Sequence, residues 1–453
     1  MLNYLIKKYN VPGPRYTSYP TVPYWDLEGF STEKWINTLK KSFLESNSKE
    51  GISLYLHLPF CESLCTFCAC YKRITKQHNV ELLYIEAILK EWNLYINLLP
   101  EKPIIRELHL GGGTPSFFSP KNLKFLIENI LSKTNIHPKK EFSFEGHPNN
   151  TTHEHLQVLY DLGFRRVSFG VQDYDLQVQK AIHRIQPLKN VKQVTETARK
   201  IGYESISHDL VFGLPFQNLD KVINTIKITE TLQPDRIAFY SYAHVPWIKG
   251  VGQRGFKEED LPSGEEKRKL YEKGKELLEN IGYSEIGMDH FSLKSDSLYQ
   301  SMIHKKIHRN FMGYTSSSTQ VMISLGVSSI SDSWYAFAQN VKTLKEYYQK
   351  LENNELPVFK GHILTKEDLF IRRHILNIMC LLETHWQNSI LQENFPEIID
   401  RLKEFEDDGL LTLKDNQILV KEEGRSFIRN ICMAFDLRMM RKAPETKLFS
   451  MTI

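Results

Sequence analysis

The sequence has no long apolar segment and few cysteines for its length. No run approaches the roughly 18–20 apolar residues that a membrane-spanning helix needs, and the amino-terminal MLNYLIKKYN lacks a secretion-signal pattern. There are six cysteines in 453 residues, and four of them fall between Cys61 and Cys70. A disulfide-stapled secreted protein would spread its cysteines along the chain. We therefore expect a cytosolic protein whose clustered thiols bind a metal or act in redox chemistry.

A large charge of one sign is also missing. The chain has 58 Lys+Arg against 54 Asp+Glu, a net charge of +4. This excess is too diffuse to indicate nucleic acid or a membrane surface, so we predict neither as a partner. It is compatible with a small anionic substrate without requiring one. The 41% of hydrophobic residues can form a packed core, and the length suits two to four domains or one large barrel with attachments.

Strands and helices alternate from residue 52 onward. The pattern predicts six strands, at 52–60, 105–110, 141–145, 167–171, 205–212 and 236–242. Helices are predicted at 80–99, 120–132, 153–162, 176–182, 191–201, 220–232 and 265–281. Parallel neighbours need a crossover that is usually a helix. We therefore predict an α/β fold, a partial (β/α)6 barrel, with ligands at the carboxyl ends of its strands.

The two ends of the chain differ from this middle part. Prolines and small polar residues at 13–21 (GPRYTSYPT) predict that residues 1–50 form an extended arm without regular structure. Residues 51–345 are predicted to form the barrel and its extension. Residues 346–453 are predicted to form a mainly helical domain, with helices at 369–382 and 398–408 and a winged-helix-like β-hairpin around Asp415 and Asn416. Fold analogy alone does not make such a unit a DNA-binding module.

The clustered cysteines have the spacing C-x3-C-x2-C, followed after one residue by Cys70. Structural zinc sites usually use two separated pairs of ligands, and no second pair follows here. Three thiolates on a short loop can instead hold three irons of a [4Fe–4S] cluster and leave the fourth iron open for chemistry. A zinc site or incidental buried thiols are the alternatives, and spacing does not decide which three of the four cysteines are ligands. Cys380 and Cys432 lie in apolar helical surroundings that indicate core positions.

Other candidate residues lie at the predicted strand ends. The turn 111–115 (GGGTP) would let a ligand approach the backbone closely. Carboxylates suit ribose hydroxyls and a guanidinium suits a carboxylate, so Glu145, Asp209 and Arg184 are candidates for those contacts. Tyr55 and His57 share one face of the first strand beside Cys61. Gln172, after the fourth strand, completes the set.

The cysteine spacing after the first strand resembles the radical S-adenosylmethionine (SAM) superfamily. A closer resemblance, over nearly the whole chain, is to the family of oxygen-independent coproporphyrinogen III oxidases of bacterial haem biosynthesis. The segments that carry it are 13–21 (GPRYTSYPT), 61–70, 170–173 (GVQD), 209–215 (DLVFGLP), 242–244 (YAH), 287–291 (GMDHF), 308–315 (HRNFMGYT) and 429–433 (RNICM).

The resemblance implies an enzyme in which a [4Fe–4S] cluster and two SAM molecules lie side by side. It implies Cys61, Cys65 and Cys68 as cluster ligands. The first SAM would ligate the cluster and touch Tyr55, Gly112, Glu145 and Ile330, and the second would lie near Phe67, Gly113, Thr114, Gln172, Arg184, Asp209 and Ala243. The implied reaction converts two propionates of coproporphyrinogen III to vinyl groups, giving protoporphyrinogen IX and CO2.

The same resemblance leaves several points open. His147 and Ala69 stand where the family usually has Asp and Gly. An electron donor is implied but not identified, and we expect a monomer. Arg15, Arg184 and Arg309 are candidates for binding the substrate carboxylates by their charge alone. A haem chaperone of the same fold without this activity, and a zinc- and DNA-binding protein, are the alternative hypotheses.

Overall fold

The computed structural model describes residues 2–247, 252–253, 255–387, 395–442, 444, 446 and 448–452. Each of the six predicted strands is present, several with longer ends than predicted. They belong to one sheet of twelve strands. In chain order these are β1 (Ile52–Leu58), β2 (Ile104–Gly112), β3 (Asn135–Gly146), β4 (Arg166–Gln172), β5 (Ser205–Phe212), β6 (Arg236–Ser241), β7 (Tyr283–Gly287), β8 (His290–Leu293), β9 (Met322–Leu325), β10 (Ile330–Asp332), β11 (Ala336–Asn340) and β12 (Val358–Ile363).

The strand order is β12-β11-β10-β9-β1-β2-β3-β4-β5-β6-β8-β7. The strands β1 to β6 are parallel and follow one another across the sheet. Strand β9 is also parallel to β1, and Ser324 lies opposite Tyr55. Sequence reasoning did not predict this seventh parallel strand. Antiparallel strands extend both edges of the parallel region.

The predicted helices are confirmed, with shifts of one to three residues at several ends. The helices of the structure are α1 (Leu2–Tyr9), α2 (Thr32–Ser46), α3 (Val80–Leu98), α4 (Pro120–Leu131), α5 (His153–Asp161), α6 (Leu176–Ala181), α7 (Leu188–Ile201), α8 (Leu219–Leu232), α9 (Gly264–Asn280), α10 (Ser297–Ile303), α11 (Leu344–Glu352), α12 (Lys366–Leu381), α13 (Pro396–Asp407), α14 (Glu422–Arg425), α15 (Ile428–Met433) and α16 (Leu437–Arg441).

The prediction that residues 1–50 lack regular structure is wrong for α1 and α2. Helix α2 begins where the Ser31 hydroxyl accepts a hydrogen bond from the backbone N–H of Lys34, which satisfies an otherwise free donor of the first turn. Its buried face, which includes Trp35, Leu39 and Phe43, packs into the main core of the protein. Burial of apolar surface therefore attaches the arm to the rest of the protein. The proline-rich segment 13–21, on which the prediction for the arm was based, gives no sign of this burial.

Helices cover one face of the sheet, and a short hairpin covers part of the other face. Strand β1 is buried along almost its whole length, as expected for a parallel strand with both faces covered. Its apolar side chains share one core with α2, α3 and α4. On the opposite face, a short hairpin (His308–Asn310 and Gly313–Thr315) lies over the amino-terminal halves of the strands. There Ser317 donates a 2.6 Å hydrogen bond to Glu107 of β2.

The amino-terminal and carboxy-terminal regions of the chain share a core. Leu5, Ile6 and Tyr9 of α1 are buried in one apolar cluster with Ile371 and Ile375 of α12. The predicted terminal hairpin is present as Leu411–Lys414 and Gln417–Val420, and Glu383–His385 adds a third strand to it. Among the described residues, no helix is long and apolar enough to cross a membrane.

Candidate active site

The loop after β1 brings three cysteines to one cavity. Cys61, Cys65 and Cys68 are half-buried and line a cavity of about 330 Å³, whereas Cys70 is exposed. The loop is fixed to the end of α6, because Thr66 donates from its backbone N–H to Ile182 and from its hydroxyl to Ala181, both at 3.0 Å. Three thiols thus face one space from a loop that backbone contacts hold in place.

Two of the three thiols, those of Cys61 and Cys68, have opposite electrostatic surroundings. Burial raises the pKa of Cys61 to about 11, although the Thr114 hydroxyl lies 3.5 Å from its sulfur. A hydrogen bond from Cys70 lowers the pKa of Cys68 below its usual range. In the part of the chain that the structure describes, no three His, Cys, Asp or Glu side chains converge on the position of a single metal ion. A cluster makes a different demand, because each thiolate binds its own iron.

The glycine-rich turn after β2 presses against the end of β1. Gly112 has a φ of +118°, and a Cβ there would lie 2.8 Å from the His57 ring. A Cβ on Gly113 would lie 2.5 Å from the carbonyl of Pro59, and the Gly113 N–H donates a 2.9 Å hydrogen bond to Leu58. These contacts require glycine at both positions. They also leave the backbone next to Thr114, at the cavity wall, open to a ligand.

Arg184 reaches the same cavity from the loop between α6 and α7. Its Nη2 donates a 2.6 Å hydrogen bond to the carbonyl of Gly170, and its Nη1 lies 3.7 Å from the sulfur of Cys65. Its Nε is buried and has no hydrogen-bond partner among the residues that the structure describes. Gln172 is close by, since a Cβ on Gly170 would meet both side chains within 2.9 Å. Two of the five N–H donors of the guanidinium thus have partners among the described residues, which holds the side chain in place and leaves donors for a bound acceptor.

Glu145, at the end of β3, lies between the glycine turn and an aromatic stack. Its carboxylate accepts a 3.3 Å hydrogen bond from the N–H of Gly112, and its side chain is 48% exposed. Tyr55 stacks on His109 with 5.9 Å between ring centroids. A Cβ on Gly111 would lie 3.0 Å from the Tyr55 ring and 3.1 Å from Glu145. The two predicted residues Tyr55 and Glu145 are therefore neighbours.

Asp209 lies on β5, where it accepts a 2.9 Å hydrogen bond from the Ser168 hydroxyl. Burial raises the pKa of Asp209 to about 7, and the negative charge of Glu145 adds to this effect. His147 lines the cysteine cavity, and its Nδ1 accepts a 3.1 Å hydrogen bond from the N–H of Asn149. Burial, with repulsion from Arg184, lowers the pKa of His147 to about 3. The imidazole is therefore neutral at physiological pH and carries its proton on Nε2.

Sequence reasoning missed Gln253, which connects two of the predicted residues. Its amide nitrogen donates to the carbonyl of Ala243 at 2.7 Å and to that of Phe67 at 3.4 Å. Its amide oxygen accepts a 2.6 Å hydrogen bond from the N–H of Val245. Gln253 thereby joins the loop after β6 to the cysteine loop. No local sequence pattern marks this glutamine, because its partners are backbone groups far away in the chain.

The structure brings most of the predicted residues together but separates a few. Ile330 packs beside Trp25 and Phe337, and its connection to Tyr55 is indirect, through a 2.6 Å hydrogen bond from Ser324 to its carbonyl. Arg15 pairs with Asp289 at 2.8 Å and also contacts Arg309 through its backbone carbonyl. Neither of these two arginines lines the cysteine cavity, whose described lining includes Phe67, Gly113, Thr114 and Arg184.

Comparison with known proteins first defines the class. A sequence model described as the Radical SAM superfamily matches residues 55–228, which include the cysteine loop, the glycine turn, Glu145, Gln172, Arg184 and Asp209. Proteins of this superfamily use a [4Fe–4S] cluster and SAM. The match ends within α8, before the region that contributes Gln253, β9 and the carboxy-terminal helices.

Relatives of similar length define the family. The chain is 38% identical over 439 residues to the oxygen-independent coproporphyrinogen III oxidase of Helicobacter pylori strain J99, covering 95% of each protein. It is 35% identical over 459 residues to the enzyme of the same description from Synechocystis, covering 99% of this chain and 97% of that protein. The solved coproporphyrinogen III oxidase of Escherichia coli, described as a radical SAM enzyme, superimposes with a TM-score of 0.88 at 33% identity, covering 96% and 98% of the two chains. The chain belongs to the family of oxygen-independent coproporphyrinogen III oxidases.

Proposed function

We propose that the protein converts two propionate side chains of coproporphyrinogen III to vinyl groups without oxygen, giving protoporphyrinogen IX and two molecules of CO2. For each propionate, one hydrogen atom would be taken up in 5′-deoxyadenosine formed from SAM, and one electron would pass to an external acceptor. Membership of an oxidoreductase family whose relatives share nearly the whole chain supports this activity. The observation that carries the proposal is the single cavity lined by Cys61, Cys65, Cys68 and Arg184. A haem chaperone is disfavoured because these relatives are described as oxidases.

The residues present fit an iron–sulfur cluster with SAM. Three thiols facing one cavity supply soft ligands for three irons. The buried, unpartnered Nε of Arg184 supplies a directed donor for the carboxylate of a methionine moiety. When bound, the cluster and SAM supply one-electron cleavage and a hydrogen-abstracting radical, chemistry that belongs to the cofactor and not to protein side chains.

The chain's own residues would bind and orient these groups. For the first SAM we propose contacts from Tyr55, Gly112, Glu145 and Ile330. For the second we propose contacts from Phe67, Gly113, Thr114, Gln172, Arg184, Asp209 and Ala243. Gly113, which packs against Pro59 and also lines the cavity, would let a ligand lie against the turn. With a pKa near 7, Asp209 would accept a hydrogen bond from a ribose hydroxyl when it is ionised and would donate one to that hydroxyl when it is protonated.

Several finer points belong to the same proposal. The clustered cysteines favour a reducing, cytosolic setting. We propose that the protein acts as a monomer and receives electrons from a separate donor. His147 would present the N–H of its Nε2 where the resemblance implies a carboxylate, so a ligand atom there should be an acceptor.

The test is an anaerobic assay of reconstituted protein with coproporphyrinogen III, SAM and a reductant. We expect about four irons per chain, and the formation of vinyl product together with methionine and 5′-deoxyadenosine. SAM cleavage without vinyl product would contradict the substrate assignment. Stoichiometric zinc without iron would contradict the cluster. Cys65→Ser should prevent cluster formation, whereas Cys70→Ser should still allow it.

A further inference from the structure

The cysteine cavity opens to the surface beside a group of cations that the proposed reaction does not use. Arg73, Lys76 and Lys180 are exposed, and Lys72 is half-buried. We call these four residues the basic rim. Lys72 donates only to backbone carbonyls, those of Cys68 and Cys70. Among the residues that the structure describes, none of the four has a carboxylate within ion-pair distance.

The basic rim is attached to the backbone of the cysteine loop. The Arg73 N–H donates a 2.7 Å hydrogen bond to Pro59, and Ile74 pairs with Cys61 across a two-stranded ladder. On the other side, Lys180 precedes Ala181, whose carbonyl accepts the hydroxyl hydrogen bond from Thr66 of the loop. Lys72 and Lys76 line the cavity, and Arg73 and Lys180 stand on two segments whose backbones are hydrogen-bonded to the cysteine loop.

Exposed apolar side chains accompany these charges. Ile74 is 40% exposed, Leu176 53% and Ile185 55%. Glu62 is the one carboxylate among the described residues lining the cavity, and its Oε1 lies 3.4 Å from Nε2 of His78. A cationic surface with scattered apolar groups and little negative charge suits a short-lived contact with an acidic protein. Electron-transfer encounters typically bury less than about 1,200 Å² and rely on electrostatic steering.

The proposed function requires one electron from outside the protein for each SAM that is cleaved. Electron transfer slows steeply with distance, so the donor must approach the face that carries the cysteine loop. We propose that the basic rim is the docking surface for an acidic protein that carries a single transferable electron on a flavin or an iron–sulfur centre. In this step the carrier is oxidised by one electron and the cluster is reduced by one, and no covalent bond changes. The proposal rests on the proposed function, because it assumes the cluster.

The test compares two double variants that change the net charge equally. Arg73→Glu with Lys180→Glu reverses charge on both sides of the loop. Lys139→Glu with Lys306→Glu reverses two exposed cations near the amino-terminal ends of the strands, at a different cavity. Each reconstituted holoprotein is titrated with an acidic flavodoxin by calorimetry, and its reduction by the flavodoxin hydroquinone is followed by stopped flow. The same samples are then reduced with dithionite, and SAM cleavage is measured.

We expect the rim variant to bind flavodoxin at least about tenfold more weakly than the native protein, and to be reduced by it at least about tenfold more slowly. The affinity and the reduction rate of the control variant should stay within about twofold of the native values. Raising NaCl from about 50 to about 300 mM should reduce the native rate toward that of the rim variant. Cleavage driven by dithionite should be equal in all three proteins. Equal flavodoxin binding and reduction by both variants would overturn the docking proposal. If the native protein did not cleave SAM after reduction with dithionite, the proposed function would be overturned instead.

Discussion

Replacing Asp209 by asparagine tests whether ionisation of this buried carboxyl group destabilises the folded protein. Burial raises its pKa to about 7, from an ordinary value of 3.8. The folded state therefore holds a proton that the unfolded state has released between about pH 4 and pH 7. The contribution of Asp209 to the free energy of unfolding is fully present below about pH 4 and is lost as the pH rises through about 7.

The size of the effect follows from the shift in pKa. Each pKa unit corresponds to about 1.4 kcal/mol, so the unfavourable contribution of the ionised group reaches about 4 kcal/mol above pH 7. About 3 kcal/mol of this develops between pH 5 and pH 8. Asparagine keeps an acceptor for the 2.9 Å hydrogen bond from Ser168 and has no charge to bury. Asp209→Asn should therefore stabilise the cofactor-free protein at pH 8 by about 3 kcal/mol more than at pH 5.

The assay is urea unfolding of both cofactor-free proteins at the two pH values, with the slope of the unfolding free energy against urea checked for constancy. Asp407→Asn, at the exposed last residue of α13, makes the same chemical change on the surface and serves as the matched control. An equal gain for Asp209→Asn at both pH values would refute the argument. The variant should also lose activity after reconstitution, because asparagine offers a ribose hydroxyl one acceptor oxygen fewer.

Three further predictions follow from contacts of the turn, the arm and the cavity. Gly113→Ala places a methyl group against the Pro59 carbonyl and should cost about 1–3 kcal/mol in urea unfolding and reduce iron content, whereas Gly264→Ala, which meets only the Asn10 amide, should leave both nearly unchanged. Arg429→Met removes hydrogen bonds to Pro14 and Met451 (3.0 and 2.9 Å) and should cost about 2–4 kcal/mol and speed proteolysis within residues 10–20; unchanged cleavage would contradict this role. Arg184→Lys, which lacks a planar fork, should raise the SAM concentration needed for half-maximal cleavage at least about tenfold, and an unaltered dependence would exclude a carboxylate contact.

Local pattern predicted the parallel strands well because each is a short apolar segment followed by an amphipathic helix. Strand β9 was missed for a physical reason. Its four residues lie more than eighty positions after the start of β6, and two further strands follow it where the pattern of the other parallel strands has a helix. The arm helices were missed because their stability also comes from distant partners: α1 packs against α12, and α2 packs into the main core.

The same division holds for the candidate site. The cysteines, the glycine turn and the residues at strand ends could be predicted because a parallel sheet brings the ends of its strands together. Gln253 could not, because its two contacts are backbone carbonyls separated from it by 10 and 186 residues. Nor did the sequence indicate that Arg15 would be paired with Asp289, away from the cavity, while Arg184 retains an unpartnered donor within it.

The contact between the two ends of the chain has a consequence for biosynthesis. Residues near the start are held by residues near the finish: the Gly13 N–H donates to Ser450 at 3.1 Å, and the Thr452 N–H donates to Val11 at 2.8 Å. At about 5–20 residues per second, the ribosome needs roughly 20–90 s to make the intervening chain. These two contacts can therefore form only after residues 450 and 452 have been made, long after residues 11 and 13. Arg15, which donates to the carbonyl of Ser241 at the end of β6, can bind as soon as that strand is made, so the arm attaches to the protein in at least two stages during synthesis.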